Sequence, residues 1–205
     1  MPTGGTLYTI SAPSGAGKTS LVKALLERDP RVQVSVSHTT RPRRQGEIDD
    51  VDYHFVKSSQ FMGMLEDNAF LEYAQVFDNY YGTSKYWVEE TIKQGKDVIL
   101  EIDWQGARQV RQLLPETHGI FILPPSRAAL EKRLEGRGQD DTKVIAQRMQ
   151  AAISEMCHYV DAQWLIVNDN FEQALAELMA ILQVQRLRCE RQRVKYAGLL
   201  NDLLF

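Results

Sequence analysis

The chain has 205 residues, of which 43% are hydrophobic and 25% charged, with a formal net charge of −3. That length predicts one domain with smaller inserted lobes, and the hydrophobic share supports a buried core. The mild negative charge argues against a protein dominated by nucleic-acid binding, no apolar run reaches transmembrane length, and the stretch from Met1 to Thr6 lacks the length and charge of a signal peptide, so a cytoplasmic protein with no nucleic-acid or membrane role is expected.

The first apolar run, Leu7–Ser11, reads as a strand. It is followed by Ser11-Ala12-Pro13-Ser14-Gly15-Ala16-Gly17-Lys18-Thr19-Ser20 and a helix over Thr19–Arg28. A strand, a glycine-rich turn and Lys-Thr at a helix start form the layout of a phosphate-binding loop. Gly15 and Gly17 let the backbone curl with its N–H groups inward, and the helix N-terminus adds partial positive charge. Lys18 is placed to reach β- and γ-phosphates, and the Thr19 hydroxyl to take a Mg²⁺ position. Ala12 stands where the strict pattern has its first glycine, which weakens the string but not the Gly-Lys-Thr end. The loop alone predicts binding of a nucleoside triphosphate and does not define the reaction.

Further strands are expected at Val32–Ser37, Asp97–Ile102, Gly119–Leu123 and Trp164–Val167. Helices are expected at Lys85–Gln94, Ala107–Leu114, Arg127–Glu135, Thr142–Cys157 and Glu172–Arg188, with Ser84 and Ser126 as N-caps. This alternation predicts an α/β fold with a parallel sheet and helices on both faces. Two segments interrupt it. His38 to Thr83 mixes short β patterns (Tyr53–Val56, Phe70–Tyr73) with a helix near Ser59–Glu66. Arg137–Asp141 is a polar, glycine-containing turn between helices. Inserted segments on such a core predict a second-substrate lobe and a movable lid. The basic residues Arg186, Arg188, Arg191, Arg193 and Lys195 are read as a solvated helix face or an oligomer contact, since no aromatic residues interleave the charge. Cys157 and Cys189 share no metal or redox spacing and are read as buried small hydrophobes in a reducing compartment.

Arg41-Pro42-Arg43-Arg44 follows the second strand. Arginine suits bidentate phosphate binding, and Tyr53 and Tyr81 add hydroxyl donors; taken alone, the run is an ordinary basic loop. Arg133 and Arg137 lie four apart, on one helix face, with Arg148 on the next helix, an arrangement suited to charge stabilisation around a transferring phosphoryl group or to surface ion pairs. Glu101 and Asp103 end an apolar strand on the same side, where acids organise Mg²⁺ waters, contact a base or cap the following helix. Glu72 is a carboxylate among apolar neighbours. One carboxylate accepts the adjacent N1–H and N2–H₂ donors of guanine and is mismatched to adenine.

Together these residues resemble the guanylate kinase family. The strings that carry the resemblance are residues 11–19, 36–47 (Val-Ser-His-Thr-Thr-Arg-Pro-Arg-Arg-Gln-Gly-Glu), 52–55 (Asp-Tyr-His-Phe), 79–83 (Asn-Tyr-Tyr-Gly-Thr), 102–106 (Ile-Asp-Trp-Gln-Gly), 133–138 (Arg-Leu-Glu-Gly-Arg-Gly) and 166–169 (Ile-Val-Asn-Asp). The resemblance implies a P-loop three-layer core (1–37, 84–135 and 150–205), a mixed α/β GMP-binding lobe (38–83) and a helical lid (136–149). It implies Mg²⁺-dependent transfer of the ATP γ-phosphate to GMP and dGMP. Residues Ala12, Pro13, Ser14, Gly15, Ala16, Gly17, Lys18, Thr19 and Ser20, with Arg133, Arg137 and Asn168, would serve ATP. Ser37, Glu72, Thr83 and Asp103 would face the guanine; Arg41, Arg44, Tyr53 and Tyr81 would hold the GMP phosphate, and Glu101 would belong to the GMP-binding set. Lys18, Arg41, Arg137 and Arg148 would carry the catalytic charge, and Thr19 would meet the metal. A homo-oligomer is compatible with this reading. Two others stand beside it: a non-catalytic module of the same fold that binds proteins, and a kinase for another mononucleotide. The presence of Lys18, Thr19, Arg41, Arg44, Arg137 and Arg148 argues against the first, and Ser37 with Glu72 against the second.

Overall fold

The apolar runs assemble into one parallel sheet covered by helices on both of its faces. The computed structural model describes residues 4–76, 78–135 and 142–204. In chain order the core begins with β1 (Leu7–Ser11), α1 (Lys18–Arg28) and β2 (Val32–Val34). The inserted lobe holds β3 (His38–Thr39), β4 (His54–Phe55), α2 (Ser58–Glu66), β5 (Phe70–Val76) and β6 (Asn79–Ser84). The core resumes with α3 (Lys85–Lys93), β7 (Asp97–Glu101), α4 (Trp104–Leu113), β8 (His118–Leu123) and α5 (Arg127–Glu135). It ends with α6 (Thr142–Met156), a short 3-10 turn (Cys157–Asp161), β9 (Trp164–Val167), α7 (Phe171–Arg186), α8 (Cys189–Lys195) and α9 (Ala197–Leu204).

The core sheet runs in the order β2-β7-β1-β8-β9, every pair parallel. Alternation along the strands fills two separate layers. Tyr8 and Ile10 of β1 join Ile99, Ile120, Ile122 and Ile166 against α1 and α7. Leu7, Val98, Leu100 and Ile102 turn the other way, onto Val88 of α3 and Ala107 and Val110 of α4. A strand buried on both faces has no solvent-facing alternate positions, which is why these segments read as mostly apolar runs without polar alternation. Ser84 caps α3 by accepting the Trp87 amide, and the Ser126 hydroxyl accepts the Ala129 amide at the start of α5, as the sequence predicts. Among the described residues no helix is long and apolar enough to cross a membrane.

The lobe has its own sheet, β4-β3-β6-β5, in which β3 and β4 are parallel and the other pairs antiparallel. Phe61 of α2, fully buried, stacks on Phe70 with ring centroids 4.5 Å apart and closes the lobe's small core. A register shift lies between Phe70 and Glu72. Bulges re-aim side chains, and here the strand delivers both Leu71 and Glu72 into buried surroundings.

Several expectations are corrected. The second strand stops at Val34 rather than Ser37, because the chain leaves β7 there to enter the lobe. The helix expected from Ala107 starts at Trp104, since the Asp103 carboxylate accepts the Gly106 amide and caps it. Cys157 and Cys189 are exposed free thiols, not buried hydrophobes, because the 3-10 turn and α8 that carry them bury no residue. The basic C-terminal run is not simply a solvated face. The expected helix over Glu172–Arg188 ends at Arg186, whose side chain is only 14% exposed and turns under the sheet to pair with Asp29 and, at 2.7 Å, with Asp97. Asp97 also accepts the Thr6 amide, and Arg191 donates to the Gly5 carbonyl. Arg31 and Arg186 hold the Asp29 carboxyl well below the usual carboxylate range.

Removing one member of a buried ion network leaves the others dehydrated and uncompensated. The variant Arg186→Ala is therefore expected to lose about 3 kcal/mol or more in chemical unfolding at pH 7. Because the folded Asp29 carboxyl is depressed, its stabilisation is complete above the ordinary carboxylate range and disappears as pH falls. The acid loss of stability should be shallower in Arg186→Ala than in the parent chain, and parallel acid profiles would contradict this assignment.

Candidate functional site

At the carboxyl end of β1 the chain turns back on itself, with the Ala16 amide donating to the Pro13 carbonyl. Gly15 (φ +88°) and Gly17 (φ +95°) lie in the left-handed region, where a side chain is strained. A Cβ at Gly17 would also stand 2.3 Å from the Asn168 side-chain nitrogen. Ala12 needs no such conformation: among the described non-glycine residues only Asp50 and Asn68 have positive φ. That is why the missing first glycine leaves the loop intact. Gly17 is the N-cap of α1, so Lys18 and Thr19 open the helix with the loop's amides beside its N-terminus. Pro13 and Ala16 are buried, whereas Ser14, Thr19 and Ser20 are exposed.

Charged groups converge on this loop. Burial pushes the Lys18 ammonium below its usual range, and Glu101, Asp103 and Glu155 oppose that shift. The Thr19 hydroxyl donates to Glu101 at 3.1 Å, so Glu101 stands with the phosphate loop. Glu155 of α6 accepts the Ser14 amide, and burial raises its carboxyl above the ordinary value. Asn168, at the end of β9, donates to the Ala16 carbonyl at 2.8 Å, and Arg133 of α5 donates to the Asn168 carbonyl at 2.8 Å. These two side chains brace the loop from behind. Arg148 lies on α6, half-buried and engaged; Arg137 lies outside the described residues.

Across the crevice the lobe presents a second set. Glu72 is 5% exposed and accepts the hydroxyl of Thr83, its cross-strand partner, on one carboxylate oxygen. Its other oxygen stands over Gly106, where an added Cβ would come within 2.9 Å. Burial raises the Glu72 carboxyl to about 7, and the nearby Asp103 charge adds to the shift. Asp103 thus acts electrostatically on both Glu72 and Lys18, which joins the two halves of the site.

Arg41 lies over the rings of Tyr53 and Phe55, 5.4 and 5.7 Å from their centroids, with Tyr81 in edge contact with Tyr53. Burial raises the Tyr53 hydroxyl's pKa, and Glu101 contributes in the same direction. Arg44 is exposed on the adjoining turn, and Ser37 is half-buried between β2 and β3. The arrangement is an anion cradle with a dehydrated lysine, facing a dry carboxylate and an aromatic-backed guanidinium. Gly106, Glu47 and Glu155 belong to it and were not singled out from the sequence. Gly106 and Glu47 both fall inside the family strings, where the absence of a side chain and a lone acid behind an arginine run were the available signals.

The family model for guanylate kinase matches residues 4–185. A guanylate kinase of Saccharophagus degradans is 61% identical over 200 residues, covering 98% of each chain. One of Methylococcus capsulatus is 60% identical over 202 residues, covering 98% of this chain and 99% of the relative. Among solved structures, the guanylate kinase from Anaplasma phagocytophilum aligns with a TM-score of 0.75 at 29% identity, covering 92% of this chain and 90% of that one.

The environment of Glu72 has a measurable consequence for stability. Its carboxyl loses a proton near the ordinary 4.5 when unfolded and near 7 when folded, so between those values the folded state binds more protons. Stability from this group therefore falls as pH rises through that window, by on the order of 3 kcal/mol at full ionisation. Glu72→Gln removes the charge but keeps an acceptor for Thr83. It should melt above the parent chain at pH 8 and close to it at pH 4.5; equal melting temperatures at both pH values would contradict the buried charge.

Proposed function

Since the chain belongs to the guanylate kinase family and phosphorylates GMP with ATP, we propose that its loop and lobe divide the two substrates between them. Residues 12–20 receive the ATP phosphates, with Lys18 at the transferring group. Glu72 takes the guanine edge, beside Ser37, Thr83 and Asp103. Arg41, Arg44, Tyr53 and Tyr81 take the GMP phosphate. The observation that carries this division is the Glu72 carboxylate, 5% exposed, with one oxygen on the Thr83 hydroxyl and the other over Gly106.

In its ionised form, Glu72 accepts the two adjacent N–H donors on guanine, and adenine leaves that buried acceptor unsatisfied. The acceptor phosphate is itself the nucleophile, so no side-chain base is required; alignment and charge neutralisation do the work. Arg41 neutralises the acceptor phosphate, and Lys18 and the loop amides stabilise the donor's charge. Arg148, with Arg133 behind the loop and Arg137, supplies positive charge from the lid side. Asn168 serves ATP by fixing the Ala16 carbonyl of the loop. The oxygens of Thr19 and Glu101, 3.1 Å apart, suit a Mg²⁺ ion that keeps most of its ligands as water and phosphate. When bound, that ion neutralises charge on the ATP phosphates. Two exposed free thiols are compatible with a reducing cytoplasm.

A coupled assay across GMP, dGMP, AMP, UMP and dTMP tests the assignment of the base site, with GMP and dGMP expected to turn over fastest. Glu72→Gln should raise KM for GMP about 10- to 100-fold and leave KM for ATP near its starting value; equal effects on both substrates would indicate a folding defect. Gly106→Ala should raise KM for GMP on the order of tenfold, because the new methyl displaces the Glu72 oxygen from its place. Lys18→Ala should lower kcat about a hundred- to a thousandfold, and near-normal turnover would rule out its role at the transferring phosphate.

A further inference from the structure

Arg41 is not simply a guanidinium waiting in solvent. The Glu47 carboxylate grips it end-on, with Nη1 donating to one oxygen at 3.0 Å and Nη2 to the other at 2.7 Å. Nη1 also donates to the Pro42 carbonyl at 2.8 Å. The pair is shielded, with side chains 12% and 20% exposed, unlike an ordinary surface ion pair. Glu47 reaches this position because of the turn before it. Gly46 adopts φ +90°, the Arg44 amide donates to Glu47 Oε2 at 2.8 Å and the Glu47 amide to the Arg44 carbonyl at 3.2 Å. One carboxylate therefore fixes both Arg41 and the backbone that carries Arg44. Arg41 and the Arg44 amide hold the Glu47 carboxyl below its ordinary range.

A guanidinium has five N–H donors, and these bonds use three. What remains is Nε–H and one hydrogen on Nη2, which form the other bidentate edge of the plane. The Tyr81 hydroxyl is hydrogen-bonded to the same guanidinium, so that edge is shared with a tyrosine assigned to the same phosphate. We propose that Glu47 is a positioning residue for the acceptor phosphate: it occupies the end-on edge of Arg41 so that the side-on edge is presented to the phosphate of GMP. This rests on the assignment of Arg41 to that phosphate. Glu47 does not touch the substrate. Without it the guanidinium can turn its end-on edge elsewhere, and holding one long side chain in place has to be done at the expense of binding.

The test compares GMP with guanosine, which has the same base and sugar but no phosphate, by calorimetric titration of the full chain. Glu47→Ala and Glu47→Gln should weaken GMP binding about tenfold and about threefold respectively, leave guanosine binding unchanged, and raise KM for GMP without changing KM for ATP. In the double variant with Arg41→Ala, the Glu47 substitution should lose most of its effect, keeping only the part that passes through the Arg44 backbone. GMP binding that is unchanged or tightened, or GMP and guanosine weakened alike, would overturn the proposal; tightening would mean that Glu47 competes with the phosphate. The two assignments fail separately. If Arg41→Ala does not weaken GMP relative to guanosine, the phosphate site itself is misassigned. If it does and the Glu47 variants do not, only the positioning role falls.

Discussion

The hydrogen bond from the Asn168 amide to the Ala16 carbonyl is the constraint on which the site depends. A loop that offers its N–H groups to an anion must turn its carbonyls away, and each buried carbonyl then needs a donor from elsewhere. Asn168 supplies one from the end of β9, and Arg133, bonded to the Asn168 carbonyl, ties the same point to α5. The close fit excludes any side chain at Gly17. The loop's shape is thus set by two elements more than a hundred residues further along the chain, and the strand order β1-β8-β9 brings them there.

With that loop fixed, the rest of the site is a problem of dehydration. Lys18 and Glu72 are each shifted toward neutrality by burial, one downward and one upward. Both shifts cost folding free energy, and both suit a surface meant to replace water around a phosphate and a base. Asp103 acts on both sides while capping α4, so the helix start that fixes Gly106 beneath Glu72 also sets the charge felt by Glu72 and Lys18.

Much of this architecture was legible because the central strands are buried on both faces and leave mostly apolar runs. The phosphate loop was legible because its chemistry is local in sequence. The lobe was only partly so. Its strands β3 and β4 have two residues each, too few for a periodic signal, and their pairing is set by distant partners. Glu72 could be singled out as a carboxylate among apolar residues, yet the bulge that turns it inward and the glycine beneath it are three-dimensional facts. Arg186 misled for the opposite reason. In a run of basic residues nothing distinguishes the one that folds under the sheet, since its partners Asp29 and Asp97 lie far away in sequence.

That network under the sheet has a consequence for how variation in this chain would be felt. It joins the end of α1, the entry to β7, the end of α7 and, through Arg191, the backbone before β1, all at the end of the strands opposite the loop. Damage there leaves the catalytic groups of every surviving folded molecule as they were. It changes how many such molecules there are, because a loss of a few kcal/mol passes into steady-state abundance through degradation of the unfolded fraction. The two ends of one sheet are thus separately adjustable: the carboxyl end governs turnover per molecule, and the amino end governs the number of molecules.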